Sequence, residues 1–182
     1  ATDDAGNATT VTQADATFGA NLLLRVLEKV APVLVFTYPT AGAYITNATP
    51  AIKFKVTDDD SGVNPDTIVI KVDGTKVTSA FTKKAVTGGY ECEYTPATAL
   101  ADGGHTISIE ASDYDGNAAT AKTVSFTVDT IPPTLTVTNP TDGFITNKAS
   151  ITVSGKTDDA TSKPVTVTIN GTAVTVNTDG TF

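Results

Sequence analysis

The segment Ala31–Asn47, APVLVFTYPTAGAYITN, returns as Ile131–Asn147, IPPTLTVTNPTDGFITN. Both copies start at proline, alternate briefly, turn at Pro-Thr-x-Gly and close on an aromatic followed by Ile-Thr-Asn. A chain that repeats such a segment is built from one module used several times. Each copy therefore marks where a module begins, and the chain divides around it.

Residues 1–18 read as the end of a module. They match ASDYDGNAATAKTVSFTV at 111–128, with Ala1, Asp3, Gly6, Asn7, Ala8 and Thr10 identical to Ala111, Asp113, Gly116, Asn117, Ala118 and Thr120. A polar turn feeds a last strand in both. Residues 19–32 interrupt the pattern, and this junction is nine residues longer than the second (Thr10 to Pro32 against Thr120 to Pro133). Within it Leu22, Leu23, Val26, Leu27 and Val30 recur at helical spacing, opposite Arg25, Glu28 and Lys29. A short helix with Asn21 as N-cap follows from that spacing, as does an apolar face that could dock on a neighbouring module or another subunit.

Residues 33–128 read as a complete module of seven strands. These are Val33–Tyr38, Pro50–Thr57, Thr67–Val72, Val77–Phe81, Tyr90–Thr95, His105–Ala111 and Thr123–Val128. Ile52, Phe54 and Val56 alternate with Lys53 and Lys55, the pattern of a half-buried strand. Asp73-Gly74 is a two-residue hairpin signal. Residues 129–133 form a linker. Residues 134–182 start a further copy, with Leu135, Val137, Ile151, Val153, Val165, Val167 and Ile169 as its inward positions and Asn170-Gly171 as a hairpin turn. Three strands' worth of core is not present in that copy.

Composition agrees with an all-β reading. Val, Ile and Thr abound, and these residues fit a pleated surface better than a helix. A net charge of −8 argues against a nucleic-acid ligand, which demands a basic stripe, and against docking on anionic lipid. No apolar run approaches the roughly 18 residues of a membrane span. No signal-peptide pattern opens the sequence and no Met occurs in it, which reads as an internal piece of a longer protein.

Asp-Gly-Asn before a last strand, Val128-Asp129-Thr130 at the junction, Pro-Pro-Thr-Leu-Thr-Val opening the next copy and Gly-Gly-His-Thr-Ile at 103–107 resemble tandem bacterial immunoglobulin-like repeats. The resemblance covers everything but residues 19–30. It implies Greek-key β-sandwiches, one complete and two partial. It also implies an extracellular or bacterial cell-surface setting. Such repeats serve as stalks, adhesin shafts, filaments or accessory regions of secreted hydrolases. Their partners are neighbouring domains of the same or another copy, and in some cases a host or carbohydrate ligand.

The carboxylates are the main candidates for chemistry. Asp58, Asp59 and Asp60 follow the second strand, and Asp113, Asp115 and Asn117 occupy the turn before the last one. In an immunoglobulin-like sandwich these turns share the end next to the incoming linker. Their oxygens could be presented to Ca2+, which takes six to eight such ligands. Asp129, with Asp158 and Asp159, forms a second such set. Asp and Asn also form turns unaided, through side-chain to backbone hydrogen bonds, and both readings stay open. No cofactor is required by either.

Cys92 alternates inward between Tyr90 and Tyr94, which suggests an inert buried thiol. His105 is the sole His and lacks convergent partners, so packing and a hydrogen bond to a loop carbonyl are expected of it. Glu91 and Glu93 sit on an exposed strand face with no cleft to raise either pKa. An enzyme is not indicated. The ends allow one further arrangement, in which residues 1–18 of one molecule complete the partial sandwich 131–182 of another and build a head-to-tail filament.

Overall fold

A computed structural model describes Ala5 and residues 27–182, and within these it is all-β. The strands are β1 (Val33–Tyr38), β2 (Tyr44–Ile45), β3 (Ile52–Thr57), β4 (Val63–Val72), β5 (Thr75–Lys76), β6 (Thr82–Val86), β7 (Gly89–Tyr94), β8 (Gly103–Asp113), β9 (Lys122–Val128), β10 (Thr134–Asn139), β11 (Ser154–Asp158), β12 (Val167–Ile169) and β13 (Thr172–Val174). The tail 1–18 and the apolar stretch that holds Leu22, Leu23 and Val26 lie outside the described residues, apart from Ala5. Leu27 and Val30 are described, and residues 27–30 are not helical.

Strands β1 to β9 form two sheets, ordered β1-β3-β7-β6 and β2-β9-β8-β4-β5. This is the face-to-face arrangement of an immunoglobulin-like sandwich. Its core follows from alternation along the strands. Ile52, Phe54 and Val56 of β3 meet Ile68 and Ile70 of β4, Ile107 and Ile109 of β8, and Val124, Phe126 and Val128 of β9. Phe36 and Phe81 add edge-on and tilted ring contacts to Phe54, at 6.3 and 6.4 Å between centroids.

The strands differ from the sequence reading in two regions. Val77–Phe81 is not a strand: β5 ends at Lys76, and only the Val77 N–H continues the pairing, to Ile70 O at 2.9 Å. The chain then crosses to the other sheet as β6, an edge strand carrying Lys83 and Lys84, charges that discourage pairing with foreign strands. The two-residue β2 has no local sequence signal, because what holds it is parallel pairing with the distant β9.

Residues 134–182 hold two short ladders, β10-β11 and β12-β13, and Val167 is buried among them. Leu135, Val137 and Ile151, expected inward, are exposed because no facing sheet covers them among the described residues. Equivalent positions make the point: Ile45 is 8 % exposed beneath β9, whereas Ile145 is 92 % exposed. Asn170, at φ 49°, and Gly171, at φ 80°, form the hairpin turn as read.

Candidate functional site

The inward alternation of β8 does not stop at Ala111. It continues to Asp113, which is only 2 % exposed, so a carboxylate closes the end of the core. Asp113 Oδ1 accepts the Asn117 N–H at 2.8 Å, and its Oδ2 accepts the Asn117 side-chain amide at 2.6 Å. Across the sandwich, β3 leads into Asp58, also buried, whose Oδ1 accepts the N–H groups of Asp60 (3.2 Å) and Gly62 (2.7 Å). A backbone bond from Tyr114 N–H to Gly62 O, 3.1 Å, joins the two turns.

Glu28, from the incoming linker, lies between them. Its N–H donates to Asp115 Oδ2 at 3.0 Å, and its carbonyl accepts from the Asn117 side chain at 3.0 Å. Its Oε1 accepts from Ser61 Oγ and from the Asn117 amide, both at 3.0 Å. Its Oε2 accepts the Val30 N–H. One carboxylate oxygen from each of Glu28, Asp58 and Asp113 lies within 4.8 Å of the other two. Burial would raise the Asp113 pKa, but hydrogen bonding with Glu28, Asn117 and Ser61 outweighs it and holds the carboxyl at about 2. Carboxylate oxygens this close favour a shared proton or a cation among them. The donor set is all oxygen, which suits a hard cation such as Ca2+.

Of the residues singled out in the first cluster, Asp58 and Asp113 form the centre, with Asp115 and Asn117 bound to Glu28. Asp59 and Asp60 are exposed. Glu28 itself was missed, since in sequence it belonged to the polar side of an expected helix. A signal existed. Glu28, Asp58 and Ser61 lie 101 positions before Asp129, Asp159 and Ser162, the spacing that also separates Pro39 from Pro140.

The second junction repeats the linker bond but not the three-carboxylate convergence, which among the described residues occurs at Glu28, Asp58 and Asp113. Asp159 is buried and its Oδ1 accepts the N–H groups of Thr161 (2.8 Å) and Ser162 (2.7 Å), which lowers its pKa. The Ser162 hydroxyl donates to Asp129 Oδ2 in the linker. Asp158 does not take part: it is exposed and paired with Lys163 at 2.7 Å, first through that hydrogen bond and then through charge, so its pKa also falls.

Other chemistry-bearing residues are committed elsewhere. Burial pushes the Cys92 thiol up to about 11. Glu91 and Glu93 pair with Lys84 and Lys53 at 3.9 and 3.5 Å on the exposed sheet face. His105 directs its two ring nitrogens at Asp73 and at the Ala101 carbonyl, and so faces no hydroxyl or thiol nucleophile.

The sequence profile of the bacterial Ig-like domain family matches residues 40–130, half of the chain. The chain belongs to that family. The bacterial Ig-like fold accounts for the complete sandwich, and the profile of glucodextranase domain B matches residues 133–182. Bacillopeptidase F of Bacillus subtilis (strain 168) is 30 % identical over 163 residues, covering 89 % of this Ig-like chain. The chain spans about a tenth of that relative's length. Among solved structures, the fibronectin(III)-like modules of Clostridium thermocellum CbhA are 28 % identical, with a TM-score of 0.39 over 54 % of this chain and 47 % of that one. The SrpA adhesin of Streptococcus sanguinis is 16 % identical, with a TM-score of 0.42 over 58 % and 60 %.

Proposed function

We propose that this chain is a segment of a tandem bacterial Ig-like array that acts as a semi-rigid spacer in an extracellular or surface protein. The observation that carries the reading is the repeated linker latch. At each junction an acidic linker residue accepts a serine hydroxyl from the turn after the module's second major strand, Glu28 from Ser61 and Asp129 from Ser162. A linker tied to the following module cannot swivel freely, and stiffness is what a stalk or shaft needs. Small-angle scattering of the whole chain tests this. An elongated particle is expected, with a distance distribution that broadens in the Asp129→Ala, Ser162→Ala double variant. A compact particle, or a distribution the variant leaves unchanged, removes the reading.

Similarity to a part of Bacillopeptidase F and to glucodextranase domain B favours a related reading, a spacer or carbohydrate-binding accessory region of a hydrolase. Glycan-array binding by the whole chain would support it, and a blank array would leave the plain spacer.

Convergence of Glu28 on Asp58 and Asp113 favours Ca2+ at the incoming junction, held by these three carboxylates. In that case calcium raises the melting temperature and excess chelator lowers it. An unchanged melting temperature eliminates bound calcium.

A further inference from the structure

We propose that His105 is a proton-operated latch at the outgoing end of the complete module, and that its deprotonation loosens the hold on the linker that follows. Its ring lies 2.7 Å from two acceptors at once, Asp73 Oδ2 through Nδ1 and the Ala101 carbonyl through Nε2. A carboxylate and a carbonyl both need an N–H, and only the imidazolium has two. A neutral ring therefore satisfies one acceptor and abandons the other. The bond it keeps is the charge-assisted one to Asp73, so the Ala101 carbonyl is released.

Asp73 is fixed independently of the histidine. Its Oδ1 accepts the Thr106 N–H at 2.8 Å, its own N–H donates to Thr106 O at 2.9 Å, and it sits at φ 48° in the turn between β4 and β5. The segment before β8 is held from its other side, where the Leu100 N–H donates to the Ala48 carbonyl at 2.8 Å, and the His105 contact closes it against the β4–β5 turn. There Asp102, next to Ala101, accepts the Thr130 N–H at 2.8 Å and the Thr130 hydroxyl at 2.9 Å, which pins the start of the outgoing linker. The line from His105 to Ala101, Asp102 and Thr130 is continuous.

Among the described residues, the charged group in contact with the ring is Asp73. The β4–β5 turn contributes Asp73, the segment before β8 contributes Asp102, already engaged by Thr130, and β9 contributes the uncharged ring of Phe126 at 5.8 Å. Burial would lower the imidazole pKa, yet the hydrogen bond to Ala101 and the bond and charge of Asp73 more than offset it and set the pKa above its ordinary value. The latch is thus closed below about pH 6.5 and opens as pH rises through the raised folded pKa.

The inference stands on this geometry and not on the spacer reading, and the two fail separately. Because the chain has a single His, one NMR signal reports the titration. We expect a midpoint above the free-histidine value that falls in Asp73→Asn. Amide exchange at Thr130, corrected for intrinsic base catalysis, should lose protection at the same midpoint by roughly two- to tenfold, the loss of one hydrogen bond. The step should vanish in His105→Gln, whose fold is checked by the protection of Ile107 and Ile109. Thr130 protection that ignores the His105 midpoint, or a step that survives in His105→Gln, overturns the proposal.

Discussion

Ser61 donates its hydroxyl to Glu28 at 3.0 Å across 33 residues of chain, tying the linker to the turn that follows β3. The bond also gives the Glu28 carboxylate a neutral donor amid like charges. Ser61→Ala should cost about 1 kcal/mol, the usual worth of such a bond. Glu28→Gln should also destabilise, because an amide NH2 replaces one of the oxygens that accept from Ser61, Asn117 and Val30. Urea unfolding of the two variants beside the parent measures both losses.

Asp113 gives the module an acid limit. Its folded pKa of about 2 lies below the ordinary carboxylate value, so its contribution is present above about pH 4 and drains as pH falls through 2. Asp159 has a lowered pKa and the same sign at the second junction. Thermal melts from pH 5 to pH 2 should show a steep decline. In Asp113→Asn that decline should be shallower, and an equal slope in the two proteins would contradict the assignment.

Cys92 should be silent towards thiol reagents. A buried thiol with its pKa near 11 offers little thiolate at pH 8. Labelling with a disulfide-exchange reagent should be negligible in the native chain and complete in guanidinium, so the reaction rate reads out opening of the β3-β7 region.

Gly89 is required by closeness. A Cβ there would sit 2.0 Å from the Val56 carbonyl oxygen, where β7 starts its pairing with β3. Gly89→Ala forces the two strands apart and should cost about 1–3 kcal/mol, as overpacking does. A thermal melt checks this, and a neutral result would show that the turn at Gly88 absorbs the strain.

Much of the sandwich could be read from the sequence because its signals are local. Ile107, Ile109 and Ala111 alternate with Ser108 and Glu110, and that pattern dictates which side of β8 enters the core. Asp73-Gly74 and Asn170-Gly171 occupy left-handed turn conformations that few other pairs tolerate. What escaped was non-local. Tyr44 and Ile45 form a strand only because Thr127 and Val128 lie beside them. Leu135 and Val137 alternate like core residues, yet alternation cannot show whether a facing sheet is there. The carboxylate site was half visible: Asp58 and Asp113 stood out as acidic turns, whereas Glu28 reaches them from a segment whose apolar spacing suggested a helix.

The latch also changes where a module should be considered to start. Glu28 and Asp129 stand 101 residues apart, each four positions ahead of the proline that opens its sandwich. The heritable block is then 28–128 rather than 33–128. A gene duplication or an engineered splice cut just ahead of the acid would carry its own hinge-lock with it. One cut at the proline would graft a sandwich whose neighbour decides how it is held.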